Sequence, residues 1–108
     1  MYILISVWYP PTKSMEVGKK YIEATQKFPE DETIYKTILE GGIMRTKNGI
    51  KAIQIHEILE GKLEEAFTRF NEVLQFFAEI EGFNSRIDTM GTVAEAMEVI
   101  GLAIPVPA

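Results

Sequence analysis

An α+β fold is predicted for this 108-residue chain by three observations. An alternating apolar run, Tyr2 to Tyr9, ends at Pro10-Pro11. Two stretches, near residues 14–28 and 63–80, carry apolar residues at helical spacing. Two strand-like runs joined at Asn48-Gly49 lie between them, and a last one surrounds Arg86. The order β-α-β-β-α-β is that of the split βαβ or ferredoxin-like unit. Such a unit is a four-stranded antiparallel sheet of order 4-1-3-2 with two helices on one face. The other face is left bare.

The first strand alternates Ile3, Ile5, Val7 with Tyr2, Leu4, Ser6, Trp8, apolar on both sides as in a covered central strand. Pro10-Pro11 cannot donate to a ladder and stops it. Thr12 or Ser14 is placed to cap the first helix, with Glu16 in its first turn. Val17, Tyr21, Ala24 and Phe28 form its apolar stripe, and Gly18 beside them suggests a close approach to the sheet. Pro29 ends it.

Residues 33–46 and 50–59 read as the middle strands. Asn48-Gly49 predicts a type I′ turn, which needs positive φ at both central positions. With these two as the loop, Arg45 opposes Ala52, Ile43 opposes Gln54 and Gly41 opposes His56. Gly41-Gly42 inside a strand marks a bulge or a close backbone approach, so this register is expected to hold only as far as Ile43.

In the second helix Leu63, Ala66, Phe67, Phe70, Leu74 and Phe77 follow the 3.6-residue period and make the main core anchor. Val73, Phe76 and Ile80 widen the stripe and are expected against the C-terminal tail or a partner. Glu65 and Arg69 are spaced for an i,i+4 pair, and Gly82 fits a left-handed helix stop. Asn84 to Met90 is the last strand. Thr92-Val-Ala-Glu95 is a capping box opening a short helix, residues 92–101, that Gly101 closes. Residues 102–108 form an uncharged apolar tail, expected to lie on the body or a neighbouring subunit. The whole reads as a single domain, residues 1–108.

Hydrophobic residues make up 46% and the net charge is −5. An acidic chain with dispersed cations has no electrostatic footprint for nucleic acid or an anionic membrane. The absence of cysteine excludes disulfides, thiol catalysis and zinc-thiolate sites. The first apolar run lacks a basic flank and a cleavage site, so it does not read as a signal peptide, and no segment reaches the ~20 apolar residues of a membrane span. A soluble, cytoplasmic chain is expected.

Parity assigns the candidate site. If Ile3, Ile5, Val7, Ile53 and Ile55 meet the helices, then Tyr2, Leu4, Ser6, Trp8, Ala52, Gln54, His56 and Ile58 fall on the bare face. Arg45, Arg86 and Asp88 join them there. Such a face is too apolar for a monomer and implies a homodimer, or a higher oligomer, that encloses a barrel. His56, the only histidine, is the candidate catalytic base, or else a single axial ligand to a haem iron, with Tyr2 and Leu4 as cross-strand neighbours and, for the base, Asp88 or Glu40 as orienting partner. Its plainer reading is an interface histidine held by a hydrogen bond. Trp8 and Tyr2 could stack on a planar ligand, but aromatics of this kind also anchor dimers. Gln54, Arg45, Arg86 and Asp88 could bind a polar group, while inter-subunit ion pairing is their plainer role. Glu57, Glu60, Glu64 and Glu65 do not gather as metal ligands, so neither metal nor cofactor is implied.

The element order, with Tyr2–Pro11 as strand one, Asn48-Gly49 as the hairpin and a short C-terminal helix, resembles the dimeric α/β-barrel superfamily, and within it the WYPP of Trp8–Pro11 and the closing GTVAEAMEVIGL of Gly91–Leu102 are similar to small archaeal and bacterial members. That superfamily includes antibiotic-biosynthesis monooxygenase-like and stress-responsive barrel proteins. The resemblance implies a ferredoxin-like fold, dimerisation and a small partly apolar ligand, held in the barrel or between helices and sheet. Binding of such a ligand is the leading functional expectation. A cofactor-independent oxygenase or isomerase of a planar or polyketide-like substrate is an alternative, with His56 as base and Trp8 as stacking wall. A purely structural oligomer is another.

Overall fold

The computed structural model describes residues 1–103. The strands are β1 (Tyr2–Tyr9), β2 (Tyr35–Thr46), β3 (Gly49–Ile58) and β4 (Asn84–Met90). The helices are α1 (Ser14–Lys27), α2 (Leu63–Phe77) and α3 (Val93–Val99). All neighbouring strands are antiparallel, in the order β2-β3-β1-β4, or 4-1-3-2 counted from the opposite edge. This small α+β sheet is compatible with a ferredoxin-like fold. No helix among the described residues is long and apolar enough to cross a membrane.

Both long helices cover the face of β1 that carries Ile3, Ile5 and Val7. Ile3, fully buried, and Ile5 pack with Ile58, Tyr35, Ala66 and Phe70. A second cluster joins Ala24 of α1 to Phe77 and Ile80, with Val73, Phe76 and Phe83 around it. Val73, Phe76 and Ile80 thus pack toward α1, where the sequence suggested the tail or a partner. Each large side chain so buried stabilises the fold by roughly 1.5–3 kcal/mol. Phe67, counted in the same stripe, remains 47% exposed on the outer side of α2. Of the tail, Leu102 is exposed; residues 104–108 lie outside the described residues.

Several local expectations are corrected. α1 has no side-chain cap: a single 3-10 turn, Pro11–Lys13, leads into it, and the Ser14 hydroxyl donates to the Pro11 carbonyl. Glu65 pairs with Lys62, while the Arg69 guanidinium donates to the Pro29 carbonyl. The hairpin closes with Thr46 opposite Gly49, so Lys47-Asn48 form its tip and Arg45 opposes Ile50. Neither tip residue has positive φ, which excludes a type I′ turn; the positive φ falls on Gly49 alone, at 128°. Thr46 Oγ1 stabilises this arrangement by donating to the Gly49 carbonyl at 2.8 Å.

The register of β2 on β3 shifts twice, between Thr37 and Leu39 and between Leu39 and Gly42. Each shift admits one extra residue into β2 and bends it. The Gly41-Gly42 pair sits at the second shift. As a result His56 opposes Thr37, not Gly41.

The central correction concerns β3. Ile3 lies opposite His56, Ile5 opposite Gln54 and Val7 opposite Ala52. Directly opposed residues share a sheet face. Ala52, Gln54, His56 and Ile58 therefore face the helices, and Ile53 and Ile55 face away. Arg45 follows Ile50 to the helix side. Tyr2, Leu4, Ser6 and Trp8 stay on the bare face, with Arg86 and Asp88 opposite Ser6 and Leu4.

Two glycines separate backbone need from open space. Gly82 does not stop α2, which ends at Phe77, but has φ 80° where a Cβ would lie 2.7 Å from Pro10 Cγ. Gly18 meets nothing within 4 Å, so it does not mark the close approach the sequence suggested. Gly82→Ala is expected to destabilise by about 1–3 kcal/mol, and Gly18→Ala, inside a helix, to stabilise by about 0.5–1 kcal/mol. Thermal denaturation of the two variants checks both signs.

Candidate functional site

A cleft opens between the helix layer and the sheet because small residues stand where a core would need large ones. Gly18 on α1, Gly41 on β2 and Ala52 on β3 leave a cavity of about 640 Å³. Phe28, Phe70, Phe77 and Phe83 give it aromatic walls. Phe83 stacks on Phe77 with ring centroids 5.3 Å apart, which fixes the wall nearest β4. An apolar cavity with a few convergent polar groups is the usual form of a small-molecule site.

His56 closes one end. Its ring is 5% exposed, stacked on Phe70 at 4.5 Å and edge-on to Tyr35 at 5.1 Å. Nδ1 lies 3.1 Å from Thr37 Oγ1, and the Thr37 hydroxyl donates to Glu30. With its proton given to Glu30, the Thr37 oxygen accepts from Nδ1–H. Gln54 Oε1 lies 3.2 Å from Nε2. A doubly protonated ring donates at both positions; the neutral ring requires the Gln54 amide turned so that its NH2 group donates to Nε2. Burial holds the His56 pKa below its usual value, opposed in part by the Glu30 carboxylate. The enclosed ring with both nitrogens engaged has the form of a structural histidine. Thr37 and Glu30 replace Asp88 and Glu40 as its partners, and Ile3 replaces Tyr2 and Leu4 as its neighbour.

A second polar group sits across the cleft. Tyr21 of α1 donates its hydroxyl to Glu40 Oε1 at 2.9 Å. The shift between Leu39 and Gly42 leaves Glu40 and Gly41 together opposite Gln54 and so brings Glu40 to this side. Burial raises the Tyr21 pKa, and the Glu40 and Glu30 carboxylates raise it further.

The remaining candidates do not join this cleft. Trp8 lies on the bare face with the Lys51 ammonium 5.3 Å from its ring centre. Tyr2 shares that face. Arg86 and Asp88 pair with each other along β4, Nε to Oδ2 at 2.9 Å. Arg45 is exposed near the hairpin tip. The candidate set is thus divided by the sheet: His56 and Gln54 inside the cleft, Trp8, Tyr2, Arg86 and Asp88 behind it. A pocket using His56 as base and Trp8 as stacking wall is not assembled within this chain. Tyr21, Glu30, Thr37 and Glu40 complete the cleft; only Gly41-Gly42 hinted at the shifts that place the last two.

No protein-family profile, curated protein or solved structure matches the chain significantly. Compatibility with a ferredoxin-like fold rests on the element and strand order alone.

The His56 shift has a sign. Its folded pKa lies below the unfolded 6.5. The unfolded chain takes up the proton first as pH falls, so this contribution is complete above 6.5 and is lost as pH drops through the depressed folded value. Urea midpoints measured between about pH 5 and 7 are expected to fall with pH in the wild type. Loss of this slope in His56→Gln is the expected result; an equal slope in both contradicts a buried neutral ring.

Proposed function

We propose that the chain binds a small, partly apolar molecule in the helix–sheet cleft. The observation that carries this reading is the cavity itself. A core of this size would gain stability from filling it, yet glycine and alanine line it while polar groups converge on it. A barrel enclosed by two bare faces would lack His56 and Gln54, which lie on the helix side of the sheet. Nile red, a neutral apolar dye, is expected to brighten with the wild-type protein and to lose most of that response with Gly18→Leu, which fills the cleft from α1. An undiminished response in this folded variant would contradict the site.

The bare face has a separate role in this reading. It pairs with a second copy of the chain. Tyr2, Leu4, Trp8, Leu39, Ile53 and Ile55 share it by register. Four strands of about eight residues span roughly 500 Å² in projection, so two such faces bury on the order of 1,000 Å², the lower range for a specific interface. Replacing Leu4 and Trp8 together with Lys is expected to give monomer or aggregate. A dimer unchanged by analytical sedimentation would remove this interface, and wild-type monomer would remove the pairing altogether.

A further inference from the structure

Four hydroxyl protons of the cleft are already given to protein acceptors. Tyr21 gives its hydroxyl hydrogen to Glu40 and Thr37 gives its own to Glu30. Ser14, at the mouth, donates to the Pro11 carbonyl, and Thr25 to the Ile22 carbonyl. The Arg69 guanidinium is turned to the Pro29 carbonyl. These four hydroxyls are spent on protein, only those of Tyr9 and Tyr35 have no such bond among the described residues, and the Glu30 and Glu40 carboxylates keep lone pairs for more donors. Two carboxylates face one guanidinium, and burial disfavours the charged form of the imidazole beside them, opposed in part by Glu30. The upward shift of the Tyr21 hydroxyl comes first from burial and then from its hydrogen bond to Glu40 and the charges of Glu40 and Glu30.

We infer that the cleft selects a cationic or strongly hydrogen-bond-donating amphiphile, an amine on an aromatic or aliphatic body, with its head on Glu40 and its body against Phe77 and Phe28. This deepens, and rests on, the binding role proposed for the same cleft. A carboxylate ligand meets two like charges there, with the single Arg69 guanidinium to offset them. An ammonium head gains charge-assisted hydrogen bonds to Glu40, and aromatic faces nearby add attraction for a cation. With the ring neutral, Gln54 donates its NH2 group to His56 Nε2 and keeps its amide oxygen as an acceptor for the ligand body.

The test uses three probes with one body and different heads: phenethylamine, phenethyl alcohol and hydrocinnamate. Each is titrated into the whole protein at neutral pH and low salt, with the backbone amide signals of Ala52 and Gln54 followed by NMR. The expected order is amine, then alcohol, then carboxylate. Glu40→Gln keeps an acceptor for Tyr21 and is expected to weaken the amine at least about tenfold, with a much smaller effect on the alcohol. Equal binding of amine and carboxylate, or an amine indifferent to Glu40→Gln, overturns the charge selection and leaves the cleft as a binding site. Failure of all three probes to shift these signals overturns the binding role beneath it, and the selection with it.

Discussion

The pairing of Ile3 with His56 governs the helix side of this molecule. β1 is the central strand between β3 and β4, and Ile3 is its most buried residue. Fixing Ile3 toward α2 fixes its opposed residue on β3 to the same side. That residue is the one histidine of the chain. Shifting β3 by one position would send His56, Gln54 and Ala52 to the other face together, because strand side chains alternate. The Phe70 ring holds the register from above by stacking on the imidazole, and Tyr35 from the side.

From that register the two sheet faces take different characters. On the helix side, Ile3, Ile5, Ile58 and Phe70 fill one end as a packed core. Toward β2 the packing thins, because Gly18, Gly41 and Ala52 contribute little volume. The aromatic cluster of Phe77 and Phe83 props the helices beyond the gap. Two extra residues in β2 bend that strand so that Thr37 engages His56 and Glu40 engages Tyr21. The behaviour of the cleft is therefore a property of strand irregularity as much as of helix packing. On the other side, the sheet presents flatter apolar residues with the Arg86–Asp88 pair along β4.

Much of the architecture was legible in the sequence. Alternation in Tyr2–Tyr9, the stripe of α2 and the Thr92–Glu95 capping box each express one local rule, and the structure has all three, the box with both reciprocal bonds. The face of β3 was not legible. Ile50 and Ile58 make one side apolar, and Ile53 and Ile55 the other, so hydrophobicity carries no sign there. Only pairing with β1 decides it, and pairing is a long-range property. The hairpin was misplaced because the positive φ that Asn-Gly advertises sits on Gly49 alone. Gly41-Gly42 announced an irregularity but not that two residues would be inserted, so Thr37 could not be matched to His56. The site was half visible for the same reason: His56 and Gln54 were identified, yet placed with Trp8 on the wrong side of the sheet.

The central claim, that the helix-facing side of β3 carries His56 against Phe70 and Ile3, is most directly tested by proton NMR distances from the imidazole. Because the chain has one histidine, its ring signals are unambiguous. The account predicts cross-peaks from the His56 ring to the Phe70 and Tyr35 rings and to the Ile3 methyl groups. Cross-peaks to Tyr2 and Leu4 instead, with none to Phe70, would contradict it.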